Sequence, residues 1–518
     1  MNPYADILKG NYKKLLNCYD LDPASGNIGL GDRLYWGWKV IDFPNDTLQG
    51  GVHALSVMLK LDLVEEKDFV LEVIDKVILA VKAHGNSKGS QEEAYPSEHS
   101  FCVTALVAFD ILSAIRYLGG QISDQKRNEY LDIVRPLIQF ITRNGEEHAI
   151  ISNHLATGVA AICLWNKLAG DKSKRHIELL DIIYSHQSEE GWHKEYEGAD
   201  PGYNTLCLYY LAAAYDAWPD EKLKESILNA GKFLQWFVHP DGTIGGLYGS
   251  RNTEVFYPAG LVAFSKLSPE LAGMARQLEK GLEAERHLLP EEIDIGNYIP
   301  LLNSYAMAAV HFEASKNASA IEMPCVSEGE KNFEKAGIYI QSTAGYYAIV
   351  NYKKGGTLKV FDRKTGKIDL EDGGLLGELA NGKKVSTQVF NEAITFTDGS
   401  LWTELYHLNT SSSPSPFTTL VVRAFSLTIF RSVALGNLFK KSIVNLLMTG
   451  KKSVGIEVER QFHFDADTIR VRESVRPKEK LKDIGHVGKF KSIHMASSGY
   501  FMKQATEQPA QSRIVTFE

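Results

Sequence analysis

Ser152-Asn153-His154 and Asp200-Pro201-Gly202-Tyr203 each head a long apolar, helix-like run. They stand roughly one repeat apart in a chain that repeats about every fifty residues. An amide, an imidazole and a phenol on one rim suit the removal of a carbon-bound proton next to a carboxylate. In the second segment Asp200 can cap the helix, Pro201 takes the first helical position and Tyr203 falls in the first turn. Ser152 or Asn153 can cap the helix that runs through Leu155 to Trp165. Both heads then lie at the positive end of a helix dipole, which favours a bound carboxylate and also a phenolate. A free tyrosine ionises near ~10, so a basic tyrosine needs such help. Each residue also has a plainer explanation: Asn153 as a cap, His154 as a satisfied histidine, Tyr203 as a packed aromatic.

These residues must be positioned by helices. Up to about residue 314, apolar residues recur at three and four positions in VHALSVMLKL, FCVTALVAFDILSAI, TGVAAICLW, TLCLYYLAAAY and LNSYAMAAVHF. More amphipathic patterns alternate with them, such as NEYLDIVRPLIQFITRN and EKLKESILNAGKFLQWF. Pro44, Pro96, Asn153, Pro201, Pro258 and Pro300 mark six starts of the apolar set. The expected fold is multidomain: an N-terminal (α/α) toroid of about six helical hairpins, apolar helices inside, then an antiparallel β-sandwich. An open solenoid of the same hairpins is the structural alternative. Residues 1–314 are assigned to the toroid, 315–332 to a polar linker and 333–518 to the sandwich, where short β-rich runs alternate with turn residues. The stretch AFSLTIFRSVALGNLFKKSIVNLLMTGKK reads as an amphipathic helix with basic residues, expected to cover the sheet in preference to anchoring in a membrane.

Composition narrows the function. With 44% apolar and 23% charged residues the chain is an ordinary globular protein. A net charge of −8 leaves no basic footprint for nucleic acid, and an anionic polymer would need a local basic cleft. Cys18, Cys102, Cys163, Cys207 and Cys325 are scattered without a CxxC pair, which argues against a disulfide framework or thiolate zinc site. No signal-peptide core and no run long enough for a membrane span is read, so the expected location is cytoplasmic, or periplasmic or secreted if a leader has been trimmed.

Other segments offer cleft residues. GGLYGSRNTEVFYPAG carries Arg251, Asn252, Glu254 and Tyr257; the arginine can pair bidentately with a carboxylate, and Asn252 and Glu254 can bind hydroxyls. A local turn held by an Arg251–Glu254 contact is the alternative. AYPSEHSF contributes Glu98 and His99. Trp36, Trp38 and Trp192 lie in loop-like segments where they can stack on sugar rings or pack between repeats.

Asn153-His154 before a Gly-containing apolar helix, DPGY leading into LCLYYLAAAY, and a β-rich part opening with AGIYIQSTAGYYAIVNYKKGGTLKVFD together resemble the heparinase II/III-like polysaccharide lyases, with related alginate lyases. The resemblance covers most of the chain in layout and rests on short motifs. It implies substrate in the cleft between toroid and sandwich, and β-elimination at a uronic acid. Asn153 would neutralise the C6 carboxylate, His154 would act as base or positioning group, and Tyr203 as base and acid. It also implies a cleft histidine from the β part, best matched by His494, with His407 and His463 weaker. His463 alternates with Phe462 and Phe464 and is expected to face solvent. The partner implied is an anionic poly- or oligosaccharide. The chemistry requires no cofactor; a structural metal ion in the β part is compatible with the family, although His486 and His494 lack the spacing of a local zinc motif.

Three other readings stand beside this one. A uronate C5-epimerase would return the proton to the other face. A glycoside hydrolase would need two flanking carboxylates, for which Glu98, Asp200 and Glu254 are available. A non-catalytic glycan-binding or assembly protein of a surface-polysaccharide pathway would use the same cleft without turnover.

Overall fold

The structure, a computed structural model, describes residues 2–32, 41–146, 149–408, 415–444, 450–490 and 512–518. Six inner helices follow one another: α2 (Val52–Lys60), α4 (Phe101–Leu118), α6 (Ser152–Ala169), α8 (Pro201–Ala217), α10 (Ala259–Phe264) and α12 (Ile295–Ser315). Outer helices alternate with them: α1 (Pro3–Leu16), α3 (Lys67–His84), α5 (Asp124–Arg143), α7 (Arg175–Ser185), α9 (Glu221–Leu234) and α11 (Pro269–Glu283). The inner helices are buried on nearly every side because they touch both neighbours and the outer layer. The outer ones bury only the Leu, Ile and Val stripe that recurs at helical spacing.

The hairpins close into a ring. Ala54 N–H at the start of α2 donates to Asn303 Oδ1 of α12 at 3.2 Å, and Asn303 Nδ2 donates to Gly50 O at 3.0 Å. Outer helix α1 seals the seam: Tyr4 packs on Tyr305 and Phe312, and Asn2 Nδ2 donates to Ala309 O at 2.9 Å.

Several sequence expectations need correction. Pro300 lies inside α12, whose true start is capped by Asp294, which accepts from Gly296 N–H at 2.9 Å. Neither Ser152 nor Asn153 caps α6; the cap position is Ile151, and both residues sit in the first turn. One helical segment, Phe101–Gln121, does have the length and hydropathy of a bilayer span, but 89% of it is buried within the fold as inner wall.

After α12 come two sheets. The first is antiparallel, in the order β1 (Gly329–Phe333), β2 (Ile338–Ser342), β3 (Tyr346–Asn351), β4 (Thr357–Asp362) and β5 (Lys367–Asp372). The second comprises β6 (Leu375–Leu379), β7 (Lys384–Ser386), β8 (Ser400–His407), β9 (Ser453–Phe464), β10 (Ile469–Arg476), β11 (Leu481–His486) and β12 (Val515–Phe517), in the order β11-β6-β7-β8-β9-β10-β12. The β10–β12 pair is parallel, an exception to the expected all-antiparallel pattern.

Strand β3 shows why the first sheet is buried on both faces. Tyr346, Ala348 and Val350 meet Leu401, Phe462 and Ile469 of the second sheet, forming the sandwich core. The alternate residues Tyr347 and Ile349 join the helical core, and Tyr347 OH donates to Trp236 O. The stretch between β8 and β9 forms two helices, α13 (Pro416–Leu427) and α14 (Val433–Val444). Among the described residues they sit on the toroid rim and not on the sheet: Tyr95 packs on Phe430 at 4.9 Å between ring centroids, and Lys440 pairs with Glu98 at 3.0 Å.

Candidate active site

The loops that enter the inner helices share one rim, and two of them are stitched together. Ile151 and Glu195 form a β-bridge, Ser152 N–H donates to Lys194 O at 3.2 Å, and Tyr196 N–H donates to Ile150 O at 3.2 Å. This bridge places the head of α6 beside the segment that leads into α8.

Glu195, a residue the sequence reading passed over, is the result. Its carboxyl is buried and accepts the backbone N–H of Asn153 at 3.1 Å and Asn153 Nδ2–H at 2.9 Å. Burial pushes its pKa up to about 8, against the pull of Arg251 and the two donors on Asn153.

Asp200 caps α8 as expected, accepting Tyr203 N–H at 3.0 Å, and its other oxygen accepts Arg251 N–H at 2.8 Å. The cap thus also fixes the loop that carries Arg251. A Cβ at Gly249 would lie 2.6 Å from that second oxygen, so the loop approaches only as glycine. Arg251 is buried, with its guanidinium carbon 3.8 Å from the centroid of the Tyr203 ring and 5.2 Å from that of Tyr196. Its charge is felt by Tyr203, Tyr196, Glu195 and Asp200 together. Tyr257 is buried next to this group, its phenol pushed far above the ordinary range by burial and by Tyr203. His154 Nδ1 lies 2.7 Å from Glu146 Oε2, and His154 is the more open of that pair.

Other predicted residues are placed elsewhere. Asn252 adopts φ +58° and is spent on the β part: Lys354 Nζ donates to its Oδ1, and its Nδ2 donates to Phe490 O at 3.3 Å. Buried Lys354 also donates to Leu247 O at 3.0 Å and Gly249 O at 2.5 Å. Burial pulls its pKa down to about 7 while Asp200 pulls it up, and the three acceptors match the three protons of an ammonium. Glu254 faces Lys489 at 2.8 Å and Lys359 at 3.6 Å. These groups line a cavity of about 310 Å³ between toroid and sheet, with Asp241, Arg286 and Lys367.

His99 Nδ1 meets Ser90 Oγ at 2.7 Å, and burial lowers its pKa to about 4; Glu98 is taken up by Lys440 and by the Ala94 amide at 2.8 Å. Trp192 is buried and donates to Glu190 at 2.9 Å. Trp36, Trp38 and His494 lie outside the described residues. His463 is exposed on β9, as its alternation predicted.

Among the described residues no three His, Cys, Asp or Glu side chains are grouped to hold a metal ion. His486, itself exposed, instead pairs with buried Asp372 at 3.2 Å and with Glu473 at 2.9 Å; desolvation opposes its charge, but the two carboxylates raise its pKa to about 9.

No family model and no curated relative matches the sequence. Among solved structures, the chain is similar to a Paenibacillus xanthan lyase (9% identity, TM-score 0.47), covering 78% of this chain and 44% of that one. A heparinase III matches at 11% identity and TM-score 0.45, covering 78% of this chain and 66% of that one. A sugar epimerase from a ruminal bacterium matches at 12% and 0.42, covering 60% of this chain and 98% of that one. The chain thus spans less than half the length of the xanthan lyase. The toroid-plus-sandwich architecture stands on the helix ring and sheets described above.

Proposed function

We propose that the protein is a lyase of the heparinase II/III-like type, cleaving a uronic-acid-containing poly- or oligosaccharide by β-elimination. The observation that carries this reading is Arg251, seated 3.8 Å over the Tyr203 ring while its charge also reaches the Glu195 carboxyl that holds Asn153. A buried cation over the ring offsets part of the cost of burying a phenolate, the form a base must take.

In this mechanism the C6 carboxylate of the uronate is met by Arg251 and Asn153, which stabilise the charge that develops as the C5–H bond breaks. Burial favours the uncharged form of Glu195, which does not repel the incoming anion. The Tyr203 phenolate takes the C5 proton, the electron pair forms the C4=C5 double bond, and the C4–O bond breaks. Tyr203 then returns that proton to the leaving glycosidic oxygen, so the step balances without a cofactor. His154, oriented by Glu146, positions the sugar at the open side.

The test is incubation with a panel of polyuronides and their oligosaccharides. The expected result is rising ultraviolet absorbance from a conjugated unsaturated uronate. Solvent deuterium entering C5 without chain cleavage would replace the lyase by an epimerase; saturated reducing ends would replace it by a hydrolase.

A further inference from the structure

We infer that the α13–α14 hairpin is a docking face for an anionic lipid bilayer surface. The hairpin is apolar on two sides, and among the described residues a partner packs on the inner one. Inward, Phe425, Phe430 and Phe439 form an aromatic cluster closed by Tyr95 of the toroid rim. Arg423 pairs with Asp42 at 2.7 Å and Lys440 with Glu98 at 3.0 Å, which fixes the orientation of both helices.

Outward, Phe417, Leu420, Ala424 and Leu427 recur at spacings of three, four and three, so they share one face of α13, and all are exposed. Leu435 and Leu438 of α14 are exposed as well. Phe417, Leu420, Leu427 and Leu438 are 64–74% exposed, whereas other large exposed apolar side chains, such as Phe69, Leu267 and Ile321, are scattered over separate elements.

Charge selects the occupant. Between Glu404 and Glu457 the sequence contains no aspartate or glutamate, although the chain as a whole is acidic. Arg431 and Lys441 of the same segment are exposed. Leucine and phenylalanine flanked only by cations are the composition that seats a helix in the plane of an anionic membrane, apolar side in the acyl boundary and cations among headgroups. A second copy fits less well. Symmetric pairing of two hairpins would bring the Arg431 and Lys441 cations of both copies to one interface, with no carboxylate in the segment to offset them.

The test uses the full chain with vesicles of equal parts phosphatidylcholine and phosphatidylglycerol, read by co-sedimentation, with phosphatidylcholine vesicles alone as comparison. Binding to the anionic vesicles is expected, weakened by high salt and much weaker on the neutral ones. Leu420→Glu with Leu438→Glu should reduce it more than about tenfold while leaving the circular dichroism spectrum unchanged. Arg431→Glu with Lys441→Glu should remove mainly the salt-sensitive part. No binding by the unaltered chain, or undiminished binding by the leucine variant, would overturn the inference. So would a dimer in solution that the leucine variant converts to monomer, because a second copy would then cover the face.

Discussion

Glu195 accepts two hydrogen bonds from Asn153, at 3.1 Å from its backbone N–H and at 2.9 Å from its amide. One carboxyl from the loop before α8 therefore satisfies the first turn of α6 and fixes the orientation of the amide assigned to the substrate carboxylate. The arrangement couples the site to pH. The folded-state pKa of Glu195 is raised to about 8 from an ordinary 4.5. The stability that comes from keeping it protonated is complete below about 4.5 and is lost as pH rises through about 8, an effect on the order of a few kcal/mol. Urea midpoints at pH 5 and pH 9 should show this loss in the unaltered protein and much less of it in Glu195→Gln. Lyase activity should likewise fall on the alkaline side as Glu195 ionises beside the substrate anion. A Glu195→Gln profile that keeps the same alkaline limb would assign that limb elsewhere.

Arg251 contributes a plane as well as a charge, because its guanidinium lies against Tyr203 and Tyr196. Lysine keeps the charge and loses the stacking. Arg251→Ala should lower kcat/KM by roughly 10²–10³-fold, as loss of a donor to a developing anion does. Arg251→Lys should recover part of this. Steady-state kinetics on the best polyuronide would check both.

The helical hairpins and the head of α8 were legible because they depend on local patterns, whereas closure of the ring was not. Alternating apolar and amphipathic helices report which layer each occupies, and Asp200-Pro201 is a start signal that the structure honours through the bond to Tyr203 N–H. What was hidden depends on distant partners. The cap of α6 comes from Glu195, which in sequence resembles any solvated glutamate between aromatics. Asn252 looked available for a hydroxyl until Lys354, from the β part, claimed its carbonyl. The α13–α14 stretch had the right amphipathic pattern, but nothing local said that its aromatic face would find Tyr95 on the rim instead of the sheet.

Lys354 ties the two parts of the chain together. It enters the 247–252 loop from the sheet and meets three acceptors there. Lys354→Met removes all three hydrogen bonds and leaves buried carbonyls without donors, at a cost of about 3 kcal/mol or more. A melting temperature lower by several degrees, with faster proteolysis at the 247–252 loop, is expected. Unchanged melting would show that water replaces the ammonium.

Tyr203 bears the central claim. In the proposed mechanism its phenol carries a proton from C5 to the leaving oxygen, and phenylalanine keeps the ring that packs on Arg251 while removing the group that would move the proton. The measurement is the rate of unsaturated-uronate formation by Tyr203→Phe, with circular dichroism and melting temperature confirming an intact fold. The account predicts a loss of at least ~10²-fold, within the range for removing a general base. Turnover equal to that of the unaltered enzyme would contradict it.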